Sequence, residues 1–132
     1  MPPTSALPLW LAGAIDSLAA GDVNGWMSIY APDAVHEFPW APEGRTRQLE
    51  GREAIAAYMS KLVNEGRFRF GSLSDIRSRE AGDEIIVEAE GHHHLKADGA
   101  PVNLSYIWFI TVRDGQVARF RDYMNPLQLS AR

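Results

Sequence analysis

A chain of 132 residues with a formal charge of −4 and no cysteine has room for one domain with a real core, not two. The mildly acidic balance, without a basic run, argues against nucleic acid as a partner. Lack of cysteine excludes disulfides, thiolate chemistry and Cys-ligated zinc.

Met1 to Thr4, with two prolines, reads as a loose lead-in. The apolar stretch Ala6 to Ala20 lacks a basic flank and carries Asp16, so it fits an amphipathic helix better than a signal peptide. The helix is expected from about Ser5 to Ala20, with Leu7, Leu11, Ile15 and Leu18 near helical spacing and Pro8 in its first turn. No apolar run reaches membrane-spanning length, so the expectation is a cytoplasmic protein without a membrane partner.

Gly21-Asp22 ends that helix and starts a short second one, with Trp26, Ile29 and Tyr30 on its buried side. Ala31-Pro32-Asp33 closes it, because a residue before proline avoids the helical region. Ala34 to Phe38 reads as a short strand, and Pro39 to Leu49 as a loop long enough to form a rim or flap. Gly51 to Asn64 is a third helix, with Ile55, Tyr58, Met59 and Leu62 on one side and Gly66 at its end.

The remainder is strand-like. Phe68 to Ile76, Glu84 to Lys96 and a hairpin from Val102 to Met124 are joined by turns at Ala81-Gly82-Asp83 and Ala97-Asp98-Gly99. Residues 127–132 read as a loose end. Short turns force antiparallel neighbours, and helices followed by a meander make an α+β fold: a curved antiparallel sheet with the helices on its concave side.

The hairpin carries the most informative residue. Val102, Leu104, Tyr106, Trp108, Ile110 and Val112 alternate along the first arm, and Ala118, Phe120 and Met124 share a face of the second. Asp122 lies in that apolar phase. A two-residue Asp114-Gly115 turn would set it opposite Ile107, and a three-residue bulged turn opposite Tyr106. Only the latter joins the apolar sets, with Phe120 opposite Trp108 and Met124 opposite Leu104, so it is the expected register. Arg119 and Arg121 point the other way. Burial among Phe120, Trp108 and Met124 should raise the carboxyl pKa, which suits a general acid or base. The structural alternative is a buried pair with an arginine.

His36 falls in phase with Phe38 and Trp40 and is a candidate proton shuttle or a hydrogen-bonded core residue. In the run His92-His93-His94, His92 and His94 share a face with Glu88, Glu90 and Lys96, whereas His93 joins the apolar set. Two ligands without a third make no metal site, so none is assigned. His93 is the better site candidate, unless Gly91 introduces a bulge and shifts its phase. Tyr58 and Tyr106 could donate to a substrate oxygen or simply fill the core. Phe38, Trp40, Trp108 and Phe120 could line an apolar site.

Three segments carry a family resemblance: Ala20-Gly21-Asp22, Tyr30-Ala31-Pro32-Asp33-Ala34-Val35 and Gly51-Arg52-Glu53-Ala54-Ile55. They resemble the SnoaL-like branch of the nuclear transport factor 2-like superfamily, which includes polyketide cyclases and ketosteroid isomerase. Arg121-Asp122-Tyr123-Met124-Asn125 is similar to the end of the phenazine-biosynthesis A/B proteins. The resemblance spans about Leu7 to Gln128 and implies a cone-shaped α+β barrel with a pocket between sheet and helices, commonly a homodimer.

It also implies site residues. Ketosteroid isomerase's Tyr and two Asp positions hold Ala14, Phe38 and Trp108 here, which argues against that activity. The acidic catalytic residue of the phenazine proteins falls on Asp122, while their helix histidine falls on Tyr58. The resulting expectation is an acid/base enzyme acting on an apolar, carbonyl-bearing small molecule, by cyclisation, isomerisation or dehydration. Asp122 moves the proton, His36 or His93 assists, and Tyr106 steadies an enolate. No organic cofactor is implied, because there is no glycine-rich phosphate loop. An epoxide hydrolase would need Glu88 or Glu90 to turn inward; the rival from another class is a ligand-binding or assembly module without turnover.

Overall fold

A computed structural model describes residues 7–130. Helices α1 (Leu9–Ala19) and α2 (Val23–Met27) lead into strand β1 (Tyr30–Glu37), followed by β2 (Gln48–Glu50) and α3 (Arg52–Glu65). Four longer strands come next, β3 (Phe68–Ala81), β4 (Glu84–Leu95), β5 (Pro101–Arg113) and β6 (Gln116–Met124), and a short α4 (Leu127–Ser130) closes the chain. The six strands form one curved sheet in the order β2-β1-β6-β5-β4-β3. All neighbours are antiparallel except β1 and β6, which run parallel. A parallel pair needs a long crossover, here the whole chain from β2 to β5.

Helices and sheet share one core. Leu11 and Ala14 of α1, Trp26 and Met27 of α2, and Ile55 and Met59 of α3 are buried with the inward residues of β4, β5 and β6. The α+β expectation therefore holds, with local corrections. The first helix starts at Leu9, because Pro8 is extended and serves as its N-cap; the Met1–Thr4 lead-in and Ser5 lie outside the described residues. The second helix stops at Met27, and Tyr30 already belongs to β1. Pro32 is tolerated there because β1 slips register against β6 between Tyr30 and Val35, where no ladder donor is required. The loop after Phe38 ends in the short β2, and residues 127–130, expected as a loose end, form α4. Gln128 ties that helix down, accepting from Ser105 N and donating to Ser105 Oγ.

The hairpin register differs from both expected alternatives. Arg113 pairs with Gln116 across a two-residue Asp114-Gly115 turn, and both turn residues have positive φ. That turn alone would send Asp122 to the wrong face. Between Val112↔Val117 and Thr111↔Arg119 one extra residue, Ala118, enters β6 as a bulge. Asp122 therefore pairs with Trp108, Phe120 with Ile110 and Met124 with Tyr106. Face parity survives while the register moves by two. Val117, not Ala118, takes the buried place at the start of β6.

Candidate active site

Asp122 lies beside Trp108 on the inner face of the β5–β6 hairpin. Trp108 Nε1–H donates to Asp122 Oδ1 at 3.1 Å, a bond to a charged acceptor contributing about 1.5–3 kcal/mol. The other oxygen, Oδ2, stands 3.9 Å from His36 Nε2. The carboxylate side chain keeps 19% of its exposure and His36 only 4%. Neither neighbouring arginine competes. Arg119 and Arg121 lie within 3.0 and 3.5 Å of Glu37 Oε1, so the buried arginine pair weighed as an alternative does not form.

His36 is held on three sides. Its ring stacks on Phe120 at 4.7 Å, with 6° between planes, and Phe38 lies 4.7 Å away. Its Nδ1 meets the Tyr30 hydroxyl at 2.9 Å, and its Nε2 is buried without a hydrogen-bond partner among the described residues. Burial, and then the Asp122 charge, raise the Tyr30 pKa well above the ordinary phenol value, so this hydroxyl stays neutral. A protonated Nε2–H facing carboxylate oxygen is attractive, whereas an Nε2 lone pair there would be repelled. Tyr30 therefore donates to Nδ1, and His36 presents Nε2–H toward Asp122.

A second relay ends at Tyr106. Gly71 N–H donates to His93 Nδ1 at 2.9 Å, and His93 Nε2 is 2.8 Å from the Tyr106 hydroxyl. Burial, then the neighbouring His92 and His94, lower the His93 pKa to about 4, so its ring is neutral at physiological pH. With Nδ1 accepting, the ring hydrogen sits on Nε2 and points at Tyr106 oxygen. Tyr106's own hydrogen is thereby left for another acceptor. Burial and the Asp122 charge raise its pKa strongly, so it remains a donor. Tyr58, raised by burial and by the same carboxylate, packs 5.3 Å from Phe38.

Two glycines make this relay possible. A Cβ at Gly91 would come 2.5 Å from His93 Nε2 and 2.7 Å from Tyr106 Cε2, and one at Gly71 would come 1.8 Å from His92 backbone oxygen. The β4·β5 ladder runs unbroken through Gly91, so the bulge considered there is absent; the irregularities lie in β3. His93 consequently faces inward. His92 faces outward, bonded to Ser74 Oγ at 2.6 Å and Asn103 Oδ1 at 3.1 Å.

The fold thus brings Asp122, His36, Tyr106 and His93 to one inner face with Phe38, Tyr58, Trp108, Phe120 and Met124. It does not bring Trp40. That ring is 54% exposed and packs edge-on against Tyr123, which leaves β6 on the face opposite Asp122. The expectation placed it with Phe38, but β1 ends at Glu37 and the chain turns at Pro39-Trp40. Tyr30 and the two glycines were missed. Reading the strand from Tyr30 would have shown Tyr30 and His36 on one face, at an even separation. Two surface depressions of about 380 and 130 Å³ lie elsewhere, one against α1 and α2 and one by Phe68 and Phe70; Asp122 lines neither.

The SnoaL-like domain family matches residues 11–120. The chain belongs to this family. Among curated relatives, the uncharacterized PhzA/B-like protein PA3332 of Pseudomonas aeruginosa is 34% identical over 120 residues, covering 89% of this chain and 83% of that protein. A solved Bacillus subtilis protein, provisionally named an isomerase, superposes with a TM-score of 0.85 at 29% identity, over 99% of this chain and 94% of that one. A Xanthomonas campestris protein provisionally named a polyketide cyclase gives 0.76 at 22% identity, over 98% and 94%, a likeness of fold alone. Proteins described as NTF2-like share the architecture.

Proposed function

We propose that this SnoaL-like protein is a cofactor-independent enzyme that moves a proton on an apolar, carbonyl-bearing small molecule. Its chemistry is of the cyclisation, isomerisation or dehydration type, and Asp122 is its acid/base. The observation that carries this reading is the Asp122 carboxylate itself, one oxygen held by Trp108 Nε1 and the other facing Nε2 of a buried histidine, with no arginine on the carboxylate and no other partner on that Nε2 among the described residues. One fixed oxygen and one available oxygen is what a positioned proton carrier requires. Phe38, Phe120 and Trp108 offer the apolar wall, and the Tyr106 hydroxyl the donor toward a developing enolate. His93 acts by positioning Tyr106 and takes no part in the proton transfer itself. By family resemblance we propose a homodimer, and we propose a cytoplasmic location for it; no described helix is long and apolar enough to cross a membrane.

Epoxide opening is not supported. Glu88 reaches toward Arg79 at 3.9 Å, and Glu90 accepts from Ser105 Oγ at 2.7 Å, so no second acid turns inward from β4. Ligand binding without turnover is the second reading, favoured by the two depressions lying away from Asp122.

The test is deuterium exchange at the carbon next to the carbonyl of propiophenone, followed by NMR in D2O. The wild-type protein should accelerate exchange, and Asp122→Asn, which keeps shape and removes the base, should slow it about 10²-fold or more. No acceleration by wild type, or equal rates for the two proteins, would reject the proposal in favour of binding alone.

A further inference from the structure

The 3.9 Å gap between His36 Nε2 and Asp122 Oδ2 is too long for a direct hydrogen bond, and that Nε2 is buried with no partner among the described residues. Such an atom costs about 1–3 kcal/mol unless something fills the need. One oxygen has the reach to bridge the two atoms, because two hydrogen bonds of about 2.8 Å span this separation at nearly a right angle. The two sides ask for opposite things. His36, its Nδ1 occupied by Tyr30, offers a hydrogen, while Asp122 Oδ2 can only accept one. A carbonyl oxygen would satisfy His36 but face the carboxylate as a second acceptor. A hydroxyl satisfies both.

We infer that this gap seats a substrate hydroxyl and that the carbonyl goes to Tyr106, so the substrate class is a β-hydroxy carbonyl compound and the reaction is loss or addition of water. The inference rests on the acid/base reading above and chooses among its reactions. Asp122 takes the proton from the carbon between carbonyl and carbinol, and that C–H electron pair becomes the new C=C bond. The C–O bond breaks with its electron pair, and Asp122 returns the proton to the departing hydroxyl, which leaves as water. The carboxylate is regenerated and no redox partner is needed. Throughout, His36 Nε2–H holds the leaving oxygen, and Tyr106 holds the enolate oxygen. Tyr30 is a positioning residue, acting through the tautomer of His36. The Asp122 charge is felt by Tyr30, Tyr58 and Tyr106, each raised by it after burial, and Arg45 acts in the opposite sense on Tyr58.

A matched pair of probes tests this, 3-hydroxypropiophenone and its deoxy analogue propiophenone, titrated against the Trp108 indole N–H signal in NMR. The hydroxy ketone should bind the wild-type protein at least fivefold more tightly and yield the enone. In Tyr30→Phe that preference should fall toward one, and the His36 ring-nitrogen shifts should lose the Nε2–H pattern. Equal binding of the two ketones by wild type, with propiophenone exchange intact, would overturn the hydroxyl seat and leave the acid/base reading standing. Absence of binding by either would overturn both. Because the wild-type comparison needs no variant, a misfolded Tyr30→Phe protein would not spare the inference.

Discussion

At the scale of single residues, the site depends on which hydrogen each ring carries. His93 is the sharpest case, with a backbone donor on one nitrogen and a phenol on the other. Its folded pKa, about 4, is below the ordinary value of 6.5, so the unfolded chain binds its proton first as pH falls. Stability from this residue is therefore complete above about pH 6.5 and is lost as pH drops toward 4. Urea unfolding should show a decline of about 2–3 kcal/mol over that window, and His93→Gln should flatten it. Tyr106→Phe leaves the His93 Nε2–H without an acceptor and should cost about 1–3 kcal/mol, read as a lower denaturation midpoint. Trp108→Phe removes the indole Nε1–H that holds Asp122 Oδ1; propiophenone exchange should slow while Asp122 remains present.

At the scale of elements, two local devices aim the strands. The first is the Ala118 bulge, which cancels the face inversion that a two-residue turn would impose. Deleting Ala118 would remove the bulge and let Arg119 follow Val117 directly, so Phe120 and Asp122 keep Ile110 and Trp108 as partners and Asp122 stays on the inner face. The expected result is a folded protein that retains propiophenone exchange, read by NMR in D2O. The second is Gly91, whose missing side chain leaves room for His93 and Tyr106. Gly91→Ala adds a methyl where the clearance is 2.5 Å, and should destabilise by about 1–3 kcal/mol while breaking the Tyr106 hydrogen bond, visible in the His93 ring-nitrogen shifts.

At the scale of the molecule, the sheet presents two unlike faces. The inner face meets the helices and holds the acid; the outer face carries the Glu37–Arg119–Arg121 ion pairs beside Phe109, Tyr123, Trp40 and Ile107. Trp40 and Ile107 are 54% and 38% exposed, an unusual apolar content for a face turned to water. The proposed homodimer would cover it. Light scattering should give twice 14.7 kDa, and Ile107→Glu should return the monomer mass. A wild-type monomer at micromolar concentration would reject the dimer without touching the site.

Alternation and composition, being local properties, were enough to show an α+β fold, the inward phase of Asp122 and His93, and the outward phase of His92, Arg119 and Arg121. Period two survives any even change of register, which is why Asp122 reached the right face although its partner is Trp108 instead of Tyr106. The parallel β1·β6 pairing, the bulge at Ala118 and the loss of Trp40 to the outer face were decided only in three dimensions. Each depends on how a strand is bent or shifted against a neighbour distant in the chain, and nothing in the run of residues on one strand records where its partner lies.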